Sequence, residues 1–199
     1  MRTRLVLCRH AEPAATDGRD PRLSERGLEQ ARLLAERLAN VPIAAVYSSP
    51  ARRAVATAQP IASRHALRPL ALEALRELDF GELEGLRWDE LEKREPELAA
   101  ALLREPTRVR FPGGETHGEL QARARAATED LIARHDGETI VAVSHAGPIR
   151  ALLAVWLLMA DEAVFRLGQD YAALNVIDWS EGVPLVRTLN ARSLPDESA

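Results

Sequence analysis

Residues 139–148 read TIVAVSHAGP, and this stretch decides the class of fold. The run from Thr139 to Ser144 is apolar and rich in β-branched side chains, which predicts a strand buried on both faces. The Gly-Pro pair then opens a helix that we expect to reach Leu158, because proline is tolerated in the first turn of a helix. A buried strand followed at once by a helix indicates an α/β protein.

Strands and helices alternate along the rest of the chain. Helices are expected at residues 24–39, 51–62 and, after a capping box at 116–119, up to about 134, and strands at 5–8, 43–47, 67–72, 172–179 and 184–189. This order predicts a three-layer α/β/α fold with a mostly parallel sheet. Residues 85–115 are charged, helical in composition and without strand signals, so we expect a short helical insertion there, within a single domain spanning 1–199.

The composition is that of an ordinary globular protein, with 46% hydrophobic and 28% charged residues, which excludes a wholly disordered chain. A net charge of −4 argues against a non-specific grip on nucleic acid, which needs a basic footprint. Cys8 is the only cysteine, so an intramolecular disulfide is impossible and a reducing compartment is favoured. No apolar run approaches the ~20 residues of a membrane helix, and no signal peptide is recognised. We therefore expect a cytoplasmic protein without nucleic-acid or membrane partners. The sequence leaves open whether the protein forms a homodimer.

Two histidines stand directly after predicted strands. His10 follows the first strand, and His145 follows the strand at 139–144. Ligands of parallel sheets bind outside the carboxyl ends of the strands, where neighbouring strands converge on one crevice. The two imidazoles are therefore expected to share a site although 135 residues separate them; the alternative is that each is a hydrogen-bonded histidine at a strand end.

Two arginines point to the kind of ligand. Arg53 falls in the first turns of a helix whose N-terminus should face the same crevice, and Arg9 precedes the first histidine. A helix N-terminus attracts anions, and a guanidinium group fits phosphate oxygens with two hydrogen bonds. Arg52 is expected to be a solvated helix charge. The arrangement predicts a pocket for a phosphoryl group in an otherwise acidic protein.

Such a pocket favours phosphoryl transfer through histidine. One neutral imidazole can attack phosphorus and form a covalent intermediate, and nearby arginines would lower its pKa by repelling the charged form. The leaving alkoxide needs a proton from a carboxylic acid. Glu77, after the third strand, is a candidate for that acid, and the sequence leaves open whether Asp79 is another. Glu82 and Glu84 are expected to be solvated loop charges.

Several motifs resemble those of the histidine phosphatase (phosphoglycerate mutase-like) superfamily, in the family's order. They are residues 9–12 (RHAE), 23–31 (LSERGLEQA), 49–58 (SPARRAVATA), 77–85 with Glu77, Phe80-Gly81 and Glu84-Gly85, 112–116 (PGGET) and 144–150 (SHAGPIR). The C-terminal residues 165–167 and 189–190 are similar to the α-ribazole phosphatase and broad-specificity phosphatase branch. Several separated motifs in order are far more specific than any single motif.

The resemblance implies a role for each matching residue. His10 would be the nucleophile that becomes phosphohistidine, and Arg9, Arg53 and His145 would bind the phosphoryl oxygens. Glu77 would be the general acid and then the base for water. No metal or other cofactor is implied, and the substrate would be a small phosphorylated metabolite.

The sequence also departs from the family pattern. Ala11 and Ala146 replace glycines, and a methyl group there could move a backbone N–H that contacts phosphate. Thr16 stands where the family often has asparagine, so one phosphate contact is expected to be weakened or supplied differently. His117, beside a glycine pair, is expected at the surface, and the alternative is that it lines the mouth of the site. The segment between Gly85 and Gly113 is short, which leaves little cap over the active site and favours hydrolysis.

Four functions follow from these residues. The first is a metal-independent phosphomonoesterase, and the second is a phosphoglycerate mutase. The third is a catalytically weak phosphate-binding homologue. The fourth, a metal-dependent hydrolase that uses His10, His145, Glu12 and Asp79, is the poorest match, because closely spaced ligands such as two histidines on one helical turn are absent from the sequence.

Overall fold

A computed structural model describes residues 2–15, 20–86, 88–192 and 194 of the chain. Six strands form one sheet in the order β3-β2-β4-β1-β5-β6. They are β1 (Thr3–Arg9), β2 (Ile43–Ser48), β3 (Leu70–Ala71), β4 (Thr139–Ser144), β5 (Leu174–Ser180) and β6 (Val183–Ala191). The first four run parallel, and β5 and β6 add an antiparallel edge, so the predicted mostly parallel sheet is confirmed.

Six α-helices accompany the sheet within the described part of the chain. They are α1 (Glu25–Arg37), α2 (Arg52–Arg64), α3 (Trp88–Arg94), α4 (Pro96–Arg104), α5 (His117–Arg134) and α6 (Ala146–Trp156). Ser24 caps α1 by accepting a hydrogen bond from the Gly27 N–H, and Thr116 with Glu119 forms the capping box of α5. The strand expected at 67–72 is only two residues long, as a short exposed edge strand.

Alternation along the strands produces the three layers. In β1, Val6 and Cys8 face one core cluster together with Leu34 of α1 and Ile61 of α2. Leu5 and Leu7 face the opposite core cluster, which includes Leu152 of α6 and Leu131 of α5. Successive side chains of a strand point to opposite faces, so one apolar strand serves both layers of helices.

Residues 88–104 hold the helices α3 and α4, as the helical composition of that segment predicts. Burial raises the pKa of the Cys8 thiol to about 12, so this cysteine behaves as an apolar strand residue, as expected. None of the described helices combines the length and the apolar character that crossing a membrane requires.

Candidate active site

Strand register brings the two motif histidines together. Arg9 at the end of β1 lies opposite Ser144 at the end of β4, so His10 and His145 are the next residue on each parallel strand. The His10 N–H donates to the carbonyl of Ser144 at 2.9 Å, and the ring centroids lie 5.0 Å apart. Both side chains are buried, with exposed fractions of 4% and 0%. The two imidazoles therefore lie side by side at the carboxyl ends of two neighbouring strands.

Arg53 bridges the two imidazoles from the first turn of α2. Its Nε donates to His10 Nε2 at 3.3 Å, and its Nη2 donates to His145 Nδ1 at 3.2 Å. The neighbouring strand β2 fixes this placement, because the Ser49 N–H donates to the carbonyl of Val143 in β4 at 2.9 Å. A guanidinium group that contacts both rings places a positive charge where phosphoryl oxygens would lie.

His10 is held as a neutral ring with a free lone pair on one nitrogen. Its Nδ1 lies 2.8 Å from the carbonyl oxygen of Ala11, which can only accept, so the proton is on Nδ1 and the lone pair on Nε2. Burial lowers the pKa of His10 to about 3, although the hydrogen bond with the Ala11 carbonyl opposes it, and the charges of Arg53 and Arg9 lower the pKa by smaller amounts. Nε2 is thus an unprotonated nitrogen beside a cation, as a nucleophile requires.

His145 has the opposite tautomer. Because Nδ1 accepts from Arg53, Nε2 carries the proton and donates to Ser49 Oγ at 2.8 Å. Burial, followed by the neighbouring His10 and Arg53, lowers the pKa of His145 well below its ordinary value. Ser49 lies in one of the motifs that resemble the family, but no role could be assigned to it before its contact with His145 was seen.

Arg9 adds a second cation from the other side of His10. Its guanidinium carbon lies 3.9 Å from the centroid of the Tyr171 ring, and its Nη1 donates to the carbonyl of Gln169 at 2.5 Å. Its Nε is buried and has no hydrogen-bond partner among the described residues. The Tyr171 ring also lies 5.6 Å from that of His10. A buried guanidinium N–H without a partner is suited to an anionic ligand.

Glu77 supplies a carboxyl group at the N-terminus of α6. Its Oε1 accepts from the N–H of Gly147 at 3.1 Å and from its neighbour Leu78 at 2.9 Å. Burial raises its pKa above the ordinary value, against the hydrogen bonds and the charges of Arg53 and Arg9. A Cβ at Gly147 would come within 2.2 Å of Oε1, so a larger residue there would displace the Glu77 carboxyl group.

A partly buried ion pair between Arg123 and Glu115 holds the loop that carries Glu77. Arg123 of α5 donates to the carbonyls of Ala74 at 2.7 Å and Glu77 at 3.0 Å, and its Nε donates to Glu115 at 2.9 Å. Glu115 in turn accepts from the N–H of Asp79 at 3.0 Å. Arg123 was not recognised in the sequence, because its contacts depend on the packing of α5 against a distant loop.

Several expectations are resolved differently by the structure. The carboxylate of Asp20 accepts a hydrogen bond from the backbone N–H of Arg52 at 3.0 Å. This N–H at the N-terminus of α2, where the sequence predicts an anionic ligand, is therefore bonded to a side chain of the protein itself. The Ala11 N–H donates to Thr57 Oγ1 at 2.9 Å, so that amide is already satisfied and the methyl group is buried in the core. Ala146 begins α6 beside the site and is 8% exposed. Thr16 lies outside the described residues.

One further residue is not where it was expected. His117 is 5% exposed, so the prediction that it is a surface residue is wrong. Glu12 accepts from Ser24 Oγ at 3.0 Å, and the Asp79 carboxylate accepts from the N–H of Gly81 at 2.9 Å. Glu12 and Asp79 are therefore engaged in their own loops, and no group of three metal-ligating side chains was found within the described ranges.

Two neutral histidines, two arginines and a buried carboxyl group lie close together at or beside the carboxyl ends of the strands, and this arrangement is suited to binding a phosphoryl group. The profile of the histidine phosphatase superfamily (branch 1) matches residues 5–192. The chain belongs to this superfamily.

Relatives named for their functions align with most of the chain. Phosphoserine phosphatase 1 of Hydrogenobacter thermophilus is 34% identical over 193 residues, which cover 94% of this chain and 92% of that protein. The metal-independent phosphoserine phosphatase of Arabidopsis thaliana is 37% identical over 161 residues, 75% of this chain and 67% of that protein. The crystal structure of the α-ribazole phosphatase from Shigella flexneri superimposes with a TM-score of 0.86 at 27% identity, covering 98% of this chain and 99% of that one.

Proposed function

We propose that this protein is a phosphomonoesterase that hydrolyses a small phosphorylated metabolite through a phosphohistidine at His10. The observation that carries the proposal is the state of His10: Nδ1 is tied to the Ala11 carbonyl, and Nε2 is unprotonated in contact with Arg53. The family and the names of its relatives support the same reaction class.

In the first step, the lone pair of His10 Nε2 attacks phosphorus, and the bond from phosphorus to the ester oxygen breaks. Arg9, Arg53 and His145 stabilise the phosphoryl oxygens as the charge is redistributed. The leaving alkoxide takes the proton of the Glu77 carboxyl, which burial keeps protonated to a higher pH than usual. The alcohol leaves, and Glu77 is then a carboxylate.

In the second step, the Glu77 carboxylate removes a proton from a water molecule that attacks phosphorus. The bond from phosphorus to Nε2 breaks, inorganic phosphate leaves, and His10 returns to its neutral state. The protein supplies every group in this cycle from its own side chains. The name of the metal-independent Arabidopsis relative supports a reaction that runs without a metal.

The decisive experiment traps the intermediate. The protein is mixed with p-nitrophenyl phosphate, quenched in base and analysed by mass spectrometry, and we expect a phosphoryl adduct on the peptide that contains His10. The variant His10→Ala should form no adduct and release no phosphate above background, with a chelator present throughout. Phosphate release by His10→Ala at the wild-type rate would remove His10 as the nucleophile.

A measurement of the products distinguishes a phosphatase from the alternative, a phosphoglycerate mutase. With 3-phosphoglycerate as substrate, a phosphatase releases inorganic phosphate, whereas a mutase converts the substrate to its isomer. Formation of the isomer faster than release of phosphate would overturn hydrolysis as the main reaction.

A further inference from the structure

A second cavity adjoins the carboxyl group of Glu77. It has a volume of about 480 Å³, within the range of small-molecule sites. We call it the apolar cavity, because its wall is dominated by Phe80, Leu83, Leu91, Leu102, Phe111 and Leu120.

The apolar cavity connects with the catalytic side chains through shared walls. Glu77, Leu78 and Glu84 line both this cavity and the polar cavity that holds Arg53 and His145. An ester oxygen that receives its proton from Glu77 therefore lies at the junction of the two cavities. The carbon skeleton attached to that oxygen can enter the apolar cavity directly.

The wall of this cavity does not suit a charged alcohol. The ionisable side chains on it, among the residues that the structure describes, are Glu77, Glu84, His117 and Arg150. Glu84 would repel a carboxylate, and the Nε of Arg150 already donates to the carbonyl of Leu167 at 2.8 Å, which leaves only the terminal N–H groups of Arg150 to pair with a charged ligand. Removing a charged group from water without a partner is strongly unfavourable.

Two large apolar side chains are left exposed to solvent beside the cavity. Trp88 of α3 and Phe165 line it, although 44% and 48% of their surfaces are exposed. A ligand that covers aromatic side chains in a concave site binds more tightly, because water is released from the apolar surfaces of both the ligand and the protein. These residues offer an apolar ligand a surface that the protein itself leaves uncovered.

His117 gives an independent indication of a ligand. It lines the same cavity and is 5% exposed, yet its Nε2 has no hydrogen-bond partner among the described residues. Its ring packs against Phe165, with 6.1 Å between the centroids. A buried polar atom without a partner has already lost its water, so a ligand group that bonds to it gains affinity without further desolvation of the protein.

We propose that the apolar cavity binds the alcohol part of the substrate, and that this part is an alkyl or aryl group carrying one hydrogen-bonding group for His117. The proposal rests on the proposed function for its reaction, and it narrows the substrate class. It distinguishes this chain from the relatives named as phosphoserine phosphatases, because serine carries an ammonium and a carboxylate group.

Binding of n-alkylphosphonates tests the cavity without any turnover. Their C–P bond resists hydrolysis, so the affinity measured by calorimetry reports binding alone. From methyl to hexyl, we expect the affinity to rise roughly threefold for each added methylene group, as for transfer of a chain out of water. An affinity that does not change with chain length would overturn the proposal.

Two neighbouring leucines of α4 provide a matched pair of variants. Leu102 lines the cavity, whereas Leu103 is 72% exposed and does not. Leu102→Asn should weaken hexylphosphonate about tenfold and leave methylphosphonate within about twofold. Leu103→Asn should leave both unchanged. Trp88→Ser, at an exposed position, checks the result if Leu102→Asn folds poorly, and equal effects of the cavity and control variants on hexylphosphonate would contradict the assignment.

A second set of ligands tests the part played by His117. Among hexylphosphonates that carry a hydroxyl at successive carbons, at least one should bind the wild type several-fold more tightly than its neighbours in the series, roughly the effect of one hydrogen bond. That preference should disappear in His117→Leu. If no position is preferred, or the preference survives in the variant, His117 is not the partner.

Turnover of the corresponding alkyl phosphates separates the two proposals. Chain-length-dependent binding without phosphate release would retain the apolar cavity and overturn the proposed hydrolysis. Phosphate release that depends on His10 but is faster for phosphoserine than for hexyl phosphate would retain hydrolysis and overturn the apolar substrate.

Discussion

The phosphoryl site and the apolar cavity meet at Glu77 but are built differently. In the phosphoryl site, Arg9, His10 and His145 lie at or directly after the ends of paired strands, Arg53 lies in the first turn of α2, and Glu77 lies on a loop held by Arg123. The apolar cavity is lined by the segment 77–86 and by side chains of the helices α3, α4, α5 and α6, and two of its aromatic side chains, Trp88 and Phe165, are about half exposed. Backbone pairing fixes the first, whereas side-chain packing shapes the second.

This difference assigns separate tasks to the two regions. A sheet edge holds side chains within the narrow geometry that phosphoryl transfer needs, because each strand end is hydrogen-bonded to its neighbour. Short helices outside the sheet are free to change their side chains without disturbing that edge. Changes in the phosphoryl site should therefore affect all substrates, and changes in the cavity should discriminate between them.

Arg53→Ala should have the largest effect. It removes the cation that contacts both histidines, and we expect kcat/KM to fall by about a thousandfold for every phosphate ester, whatever the alcohol. Steady-state kinetics with methyl and hexyl phosphate measure this uniform loss. Arg52→Ala, which changes the exposed neighbour, should stay within about twofold of the wild type. A loss confined to one substrate would break the division of tasks.

Glu77→Gln should separate substrates by their leaving groups. Alkyl phosphates need the proton of Glu77, so their kcat should fall roughly a hundredfold or more, whereas p-nitrophenyl phosphate, whose leaving group is already stable as an anion, should lose less than about tenfold. Glu82→Gln, at an exposed loop position, is the matched control. Equal slowing of both ester types would count against Glu77 as the acid.

Gly147→Ala tests the close approach of α6 to Glu77. The added methyl group would lie 2.2 Å from Oε1, so the carboxyl must move, and we expect a loss of roughly tens of fold in kcat for alkyl phosphates. Gly118→Ala, at a helical position where the nearest atom lies 3.9 Å away, should be harmless. Wild-type kinetics in Gly147→Ala would show that Glu77 need not occupy this position.

Ser49→Ala should have a smaller effect, about fivefold in kcat/KM, because it removes one hydrogen bond that orients His145. A double-mutant cycle with His145→Ala gives the sharper measurement. Once His145 is absent, the serine has no ring to orient, so its removal should add nothing further. Additive losses from the two substitutions would mean that Ser49 acts through some other contact.

When the pH is lowered from 7 to 5, we expect His10 to stay neutral in the folded protein. A free histidine, with an ordinary pKa of 6.5, is mostly protonated there, whereas His10 with its pKa lowered to about 3 stays neutral. The unfolded chain takes up the proton first, so the stability that this group contributes above pH 6.5 is lost as the pH falls towards 3. NMR titration of the imidazole, assigned with His10→Gln, measures this directly, and a midpoint near 6.5 would contradict it.

The sequence by itself determined the alternation of strands and helices, the family, and the residues of the phosphoryl site. These features depend on local patterns. The apolar run of β4 is buried whichever strands lie beside it, and a histidine that follows such a strand must lie at the carboxyl end of the sheet. The positions of His10 and His145 were predicted from the ends of strands, and that of Arg53 from the first turns of the helix that follows the second strand. The reaction proposed for them awaits the experiments above.

Only the tertiary structure decided which side chains touch. The tautomers of the two histidines, the bond from Ser49 to His145 and the hold of Arg123 on the Glu77 loop all join residues from different elements. The burial of His117, wrongly expected at the surface, follows from packing against Phe165 rather than from its polar neighbours in sequence. Local patterns specify secondary structure because its contacts are periodic along the chain, whereas a cavity wall is assembled from distant residues with no shared period.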